Sequence, residues 1–251
     1  MPAPNTWSDS FRIRFSEVGR DNFLRPDAAF DFCQQVAGDH AAALGCGFNH
    51  TTSQNVMWVL SRMRVEFLRT PHCGETVSLK TWPSGFDRLL ALREYLMTDS
   101  QGETLMRGTS FWVLLDFQNG RPLRLPDALP FPLPDNSSLP QFFQNPPRIA
   151  QDGLGHPMEV VVRETMIDVN QHLNNARYIT FVADWLSREL GDPTRLAELS
   201  VVYNRATPVG THLVITGSLE AGGAFRVRID GAEEGSGLLP RFLAQGRVSQ
   251  E

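Results

Sequence analysis

VEFLRTPHCGETVSL (65–79) recurs as VVYNRATPVGTHLVI (201–215) when the chain is slid by 136 residues, which sets Phe67 over Tyr203, Arg69 over Arg205 and Gly74 over Gly210. A slide of 149 residues sets FRIRFSEV (11–18) over VVVRETMI (160–167), with Arg14 over Arg163, Leu24 over Leu173, Phe30 over Ile179 and Phe32 over Phe181. Matches in the same order at two offsets mean that one unit is present twice, and repetition constrains the fold before any local reading does. The shorter second offset places extra residues in the first copy, between its helix and its strands.

Of the 17 prolines, nine (Pro122, Pro126, Pro130, Pro132, Pro134, Pro140, Pro146, Pro147 and Pro157) fall between residues 118 and 158. So few amide donors rule out a central strand or a helix interior there. A long structureless connection suits a joint between units better than the inside of one, although one domain with a long ordered loop is the competing arrangement. The expected organisation is an N-terminal unit at 1–117, a proline-rich linker at 118–157 and a C-terminal unit at 158–251.

Within a copy, periodicity orders the elements. A short strand (11–18) precedes residues 26–44, where Ala29, Phe30, Phe32, Cys33, Val36, Ala37 and Leu44 have helical spacing and Pro26 and Asp27 suit the first turn. Apolar runs at 55–69, 75–83, 88–98 and 104–117 then read as strands joined by turns. The second copy repeats this with a strand at 158–166, a helix at 175–190 and strands near 196–207, 211–220, 224–231 and 240–248. The second helix has two apolar faces, Tyr178, Val182 and Trp185 on one and Ile179, Phe181 and Leu186 on the other, so a sheet can curl round it. The expected class is α+β, with two tandem hotdog domains, each a long helix wrapped by a curved antiparallel sheet.

Composition narrows the function. The net charge of -5 and pI near 5.7 argue against a nucleic-acid binder, which needs clustered basic residues. Of the 23 basic residues only Lys80 is a lysine. Cys33, Cys46 and Cys73 form no CxxC pair and leave an odd one over, which disfavours a disulfide framework and zinc and points to a reducing cytoplasm. No stretch approaches the ~18 to 20 apolar residues that span a bilayer, and the first residues lack the basic start and apolar run of an export signal. His40, His50, His72, His156 and His212 show no metal-binding spacing, and no GxSxG, P-loop or Rossmann fingerprint appears, so neither metal nor cofactor is expected.

The densest polar cluster is Asp168-Val169-Asn170-Gln171-His172-Leu173-Asn174-Asn175, between strand and helix of the second copy. In an extended turn Asp168, Asn170 and His172 share a side, and Asn174 or Asn175 is a natural N-cap. Amides at a helix start can receive a developing oxyanion. A polar capping loop would explain the two asparagines without any catalysis. The repeat argues further, because the offset of 149 puts Gly19, Asp21 and Phe23 opposite Asp168, Asn170 and His172. A purely structural set should be needed twice, whereas a site shared by two units is needed once.

WVLSRMRVEFLRTP (58–71), TWPSGFDRLLALREY (81–95), SFWVLLDFQNGRPLRLPD (110–127) and IDVNQHLNNARYITFVADWL (167–186) together resemble the acyl-acyl-carrier-protein thioesterases, a tandem-hotdog family of bacteria and plant plastids, over nearly the whole chain. The resemblance implies hydrolysis of the thioester between a fatty acyl chain and the phosphopantetheine arm of acyl carrier protein. It implies that Asp168, Asn170 and His172 form the catalytic group and that the first hotdog holds much of the acyl tunnel. Imidazole, with an ordinary pKa of ~6.5, can take the proton of an attacking water, worth roughly 10² to 10⁴ in rate. Asp168 would orient the imidazole or act on the carbonyl carbon, and Asn170 with the helix-start amides would hold the oxyanion.

The sequence departs from the plant members at one place. Where they carry Tyr-x-x-Glu-Cys, with the Glu counted as catalytic, this chain has Tyr203-Asn204-Arg205-Ala206-Thr207. Either Asp168 and His172 suffice, or Thr207, Asn204 or Glu198 substitutes, or hydrolysis is weakened. Trp58, Trp82, Phe86 and Trp112, with Met57, are the expected lining of an apolar slot for the substrate. The expected partner is acylated carrier protein, met by arginines such as Arg163, Arg177 or Arg205, with no nucleic acid or membrane. The two hotdogs would close as an internal pseudo-dimer in a monomer or build a homodimer. An acyl-CoA thioesterase and a non-catalytic acyl-binding protein are the alternatives.

Overall fold

The computed structural model describes residues 5–151, 154–191, 195–233, 235 and 237–249. The first copy runs β1 (Trp7–Arg12), α1 (Pro26–Ala43), α2 (Phe48–Ser53), β2 (Val56–Phe67), β3 (Thr76–Asp87), β4 (Leu90–Thr98) and β5 (Thr104–Asp116). The second runs β6 (Gly155–Val161), α3 (Asn175–Leu190), β7 (Leu196–Tyr203), β8 (His212–Leu219), β9 (Ala224–Glu233) and β10 (Gly237–Val248). The extra residues of the first copy are α2 and the turn before it.

The strands form one ten-stranded antiparallel sheet in the order β1-β3-β4-β5-β2-β7-β10-β9-β8-β6. That order is symmetric about its middle, where β2 pairs with β7 from Arg62↔Val202 to Glu66↔Glu198. The two hotdogs therefore share a sheet, and α1 and α3 lie side by side against it. Pro26 opens α1, and Gly191, at φ 77°, closes α3 in the left-handed region that glycine adopts freely. Both apolar faces of α3 are buried, as expected for a helix enclosed by sheet.

Trp185 shows how tight this packing is. It is 1% exposed, and a Cβ added at Gly217 would lie 2.7 Å from its ring, so only glycine leaves room for the indole. Its Nε1 donates to the His156 carbonyl at 2.8 Å. Trp185→Ala should cost about 3 to 5 kcal/mol of stability, read from the denaturant midpoint; a loss below about 1 kcal/mol would mean the helix is not enclosed.

The strands expected at 11–18 and 158–166 end earlier, at Arg12 and Val161, and begin earlier, at Trp7 and Gly155. Phe15–Glu17 and Glu164–Met166 coil into single 3₁₀ turns instead. In the first, Glu17 accepts from the Arg14 backbone N–H (2.8 Å) and from Arg14 Nε (2.7 Å), which draws the chain out of the ladder. Pro157, read as linker, lies within β6, an edge strand whose register shifts between Gly155 and Met158, where a missing donor is tolerated. The strand expected at 196–207 ends at Tyr203.

From residue 118 to 151 the proline-rich segment has no helix or strand among the described residues, yet it is anchored as a strap to the outer face of β3, β4 and β5. Asn136, 5% exposed, donates from Nδ2 to the Asn5 and Pro83 carbonyls. The buried Glu94 carboxylate accepts from Ser84 Oγ (2.6 Å), Thr109 Oγ1 (2.5 Å) and the Phe142 backbone N–H (3.1 Å). Burial pushes the Glu94 carboxyl above its ordinary range, against the pull of those three donors. The strap thereby covers that face of the strands.

Candidate active site

The Asp168–Asn175 segment is a tight turn, not the extended one expected from its alternation. Asp168 N–H donates to the His172 carbonyl (3.1 Å), Gln171 N–H donates to the Asp168 carbonyl (2.9 Å), and Gln171 has φ 63°. The first copy makes the same turn: Gly19 N–H to the Phe23 carbonyl (2.9 Å), Asn22 N–H to the Gly19 carbonyl (3.0 Å), and Asn22 at φ 67°. The ties outside the turn repeat too, since Leu173 N–H donates to Thr207 O and Leu24 N–H to Pro71 O, both at 2.8 Å. The backbone thus needs none of Asp168, Asn170 or His172 to adopt this shape, because Gly19, Asp21 and Phe23 do as well.

Contacts with the neighbouring helix hold the turn over α1. Arg177 pairs with Asp31 and Thr180 Oγ1 donates to Asp27 (3.2 Å), while Asn174 Nδ2 donates to Gln34 Oε1 (3.4 Å). Burial raises the Asp31 carboxyl above its ordinary range, more than Arg177 lowers it. The N-cap is Asn174, whose side chain accepts from Ala176 N–H at 2.9 Å. Asn174 N–H is given to the Met166 carbonyl and Arg177 N–H to that of Asn174, so the amides expected to serve an oxyanion are largely occupied.

Asp168 is half-buried, and its carboxylate accepts from the Asn170 backbone N–H at 2.8 Å. No hydrogen bond joins it to the half-buried His172 imidazole among the described residues. The expected orientation of the ring by Asp168 is thus not the arrangement present. Asn170 is exposed and lines a cavity of about 540 Å³. The same cavity is lined by Ala37 and Ala41 of α1, Phe48 of α2, and Met57, Trp58 and Trp112 of the sheet.

Trp58, Trp112 and Met57 therefore meet Asn170 in one predominantly apolar cavity, whereas Trp82 and Phe86 do not line it. Trp82 is 2% exposed, donates from Nε1 to the Pro140 carbonyl (3.3 Å) and packs edge-on to Phe142, both on the strap. Phe86 lies beyond the register shift at Pro83/Gly85 and joins Leu129 and Phe131 in a separate groove. Sequence reading missed Phe48 and Leu133, which come from α2 and from the strap, and Arg93 of β4. Only the extra residues of the first copy pointed to any of these, and only to Phe48.

Two of the substitutes considered for the missing Glu are engaged by other side chains. Thr207 Oγ1 is fully buried against Tyr178 OH at 2.6 Å. Glu198 is paired with Arg247 (2.9 Å), and the β7 segment from it to Tyr203 spans roughly 17 Å. Asn204 is exposed at the end of β7, and the Ala206 carbonyl accepts from Arg241 Nη1 at 3.0 Å. Of the three arginines considered for docking, Arg177 is engaged by Asp31 and Arg205 lies 3.6 Å from Glu233.

The first copy's turn faces the end of α3 in the same manner, but the groove there differs. About 600 Å³ in volume, it is lined by Arg20, Arg25, Arg188 and Arg195 with Asp21 and Asp184 among apolar neighbours such as Phe23 and Leu24, a mixed, charged lining where the other is mostly apolar. Among the described residues no group of three or more His, Cys, Asp or Glu could hold a metal ion, and no helix is long and apolar enough to cross a membrane.

A shared sheet over two adjacent helices, with a polar turn at the edge of an apolar cavity, defines a tandem hotdog protein. Residues 4–131 match the family profile of the acyl-ACP thioesterase N-terminal domain, and residues 152–238 that of the acyl-ACP thioesterase C-terminal domain. The chain belongs to the acyl-ACP thioesterase family. It is 27% identical over 217 residues to a chloroplastic acyl-[acyl-carrier-protein] hydrolase of Cuphea viscosissima, covering 80% of this chain and 52% of that protein. It is 27% identical over 223 residues to the chloroplastic oleoyl-acyl carrier protein thioesterase 1 of Arabidopsis thaliana, covering 80% and 60%. The chain thus spans little more than half the length of these curated relatives. Its fold is that of an acyl-ACP thioesterase from Bacteroides thetaiotaomicron (TM-score 0.86, 22% identity, 98% of each chain). The 12:0-ACP thioesterase from Umbellularia californica is also similar (TM-score 0.79, 20% identity, 98% of each chain).

Proposed function

We propose that the protein hydrolyses fatty acyl-acyl carrier protein thioesters, releasing a free fatty acid and the carrier's thiol. The observation that carries this reading is the asymmetry of the repeated turn. Both copies build it with the same backbone bonds, but only the second arms it with Asp, Asn and His, and that one opens on the apolar cavity.

In this reading the acyl chain lies in the cavity with its thioester carbonyl beside Asn170. The Asn170 amide donates to the oxyanion as a water, losing its proton to the His172 imidazole, attacks the carbonyl carbon. Collapse of the tetrahedral intermediate breaks the carbon–sulfur bond, and the imidazolium returns the proton to the departing thiolate. Asp168 acts as a positioning residue: its bond to the Asn170 N–H sets the direction of that side chain. With Thr207 and Glu198 engaged by other side chains, His172 serves as the base in this reading without a carboxylate at position 206.

The test is release of free acid from carrier-protein thioesters of graded chain length, beside the matching coenzyme A thioesters. Hydrolysis confined to coenzyme A substrates would replace the carrier by an acyl-CoA, and retention of acyl groups without hydrolysis would leave a binding protein. Asp168→Asn keeps an oxygen able to accept from the Asn170 N–H, so it should retain most of the rate that Asp168→Ala loses. Equal losses in the two variants would show that the carboxylate's charge acts on the reaction directly.

A further inference from the structure

Arg93 of β4 lines the same cavity, beside Ala91, Leu92 and Trp112, and is 9% exposed. Among the described residues it makes no ion pair. Its Nη1 donates to His40 Nδ1 (3.1 Å) and Thr81 Oγ1 (3.3 Å), both fully buried, and no other side-chain N–H of Arg93 has a partner there. The adjacent acid does not serve it, because the Glu94 carboxylate is held by Ser84, Thr109 and the strap. Burial accordingly lowers the guanidinium's pKa, the sign of a cation short of counter-charge.

The repeat shows that the fold does not need this cation. Arg93 pairs with Pro83 across β3 and β4, and the corresponding pair across β8 and β9 is Phe225 with Leu219. Phe225 is 2% exposed in the core. A buried guanidinium is costly beside an apolar ligand, because its unused N–H groups would be stripped of water without a replacement acceptor.

We propose that Arg93 is a specificity-determining residue that selects acyl chains carrying an oxygen acceptor along their length, as a hydroxyl, an oxo group or a terminal carboxylate. A plain alkyl tail must stop short of Arg93 or leave it dry. This rests on the reading of the cavity as the acyl site, and the test therefore uses binding as well as turnover.

Fatty amides of equal length, one plain, one hydroxylated and one ending in a carboxylate, are titrated against the protein by quenching of its tryptophan fluorescence, since Trp58 and Trp112 line the cavity. The oxygen-bearing amides should bind at least about tenfold tighter than the plain one, the scale of one hydrogen bond to a charged group. Arg93→Met, checked for folding by thermal melting, should erase that difference, and Arg93→Lys should keep part of it. The better of the two oxygen-bearing probes tells whether a neutral or an anionic oxygen is preferred, and either preference supports the proposal. Equal binding of plain and oxygen-bearing amides, or an unchanged preference in Arg93→Met, would overturn it. Oxygen preference without any thioester hydrolysis would sink the enzymatic reading alone, whereas no binding of any amide would sink both.

Discussion

Replacing His172 by alanine should lower acyl-thioester hydrolysis by roughly 10² to 10⁴ while leaving the fold intact, because a general base is lost and no backbone bond is. The structural half of that expectation comes from the first copy, where Phe23 occupies the matching position and its carbonyl still accepts from Gly19 N–H. A residue whose counterpart is a phenylalanine is not required by the turn. The effect should fall on kcat more than on KM, since in the proposed reading the imidazole acts on the water while the cavity holds the acyl chain. A variant with the parent's rate would remove His172 from the reaction.

Much of this candidate site's make-up can be read from the chain because it is local. The turn spans few residues, its cap is the adjacent Asn174, and its counterpart lies at a constant offset, so one comparison of two strings exposes the asymmetry. The fold is legible for a related reason: Tyr178 to Leu186 are apolar on two faces, and such a helix must be enclosed. What could not be read depends on contacts between distant segments. Trp82 looks like a lining residue because β3 is buried on both faces from Thr81 to Ser84, one of them covered by a strap whose sequence carries no periodicity. The occupied amides at the start of α3 depend on Met166 lying beside Asn174, which capping rules do not reveal. Arg93 lies in a run, Arg-Glu-Tyr, that gives no hint of which charge faces the cavity and which faces the strap.

Asn170 carries the second large expectation. It is the one member of the trio that lines the cavity, and with the helix-start amides largely occupied the proposed reading makes it the donor to the oxyanion. Loss of one such donor costs about 10² to 10³ in rate. Asp21, its counterpart in the first copy, accepts from the Phe23 N–H at 3.3 Å and lines the mixed, charged groove, so truncating it should disturb only local structure.

Single-turnover hydrolysis of one acyl carrier protein thioester by Asn170→Ala and Asp21→Ala, run beside the parent, therefore tests most directly whether the duplicated unit works at one end only. The account requires a loss of about 10² to 10³ in the first variant and a rate near the parent's in the second. Comparable losses in both, or a loss in Asp21→Ala alone, would contradict it.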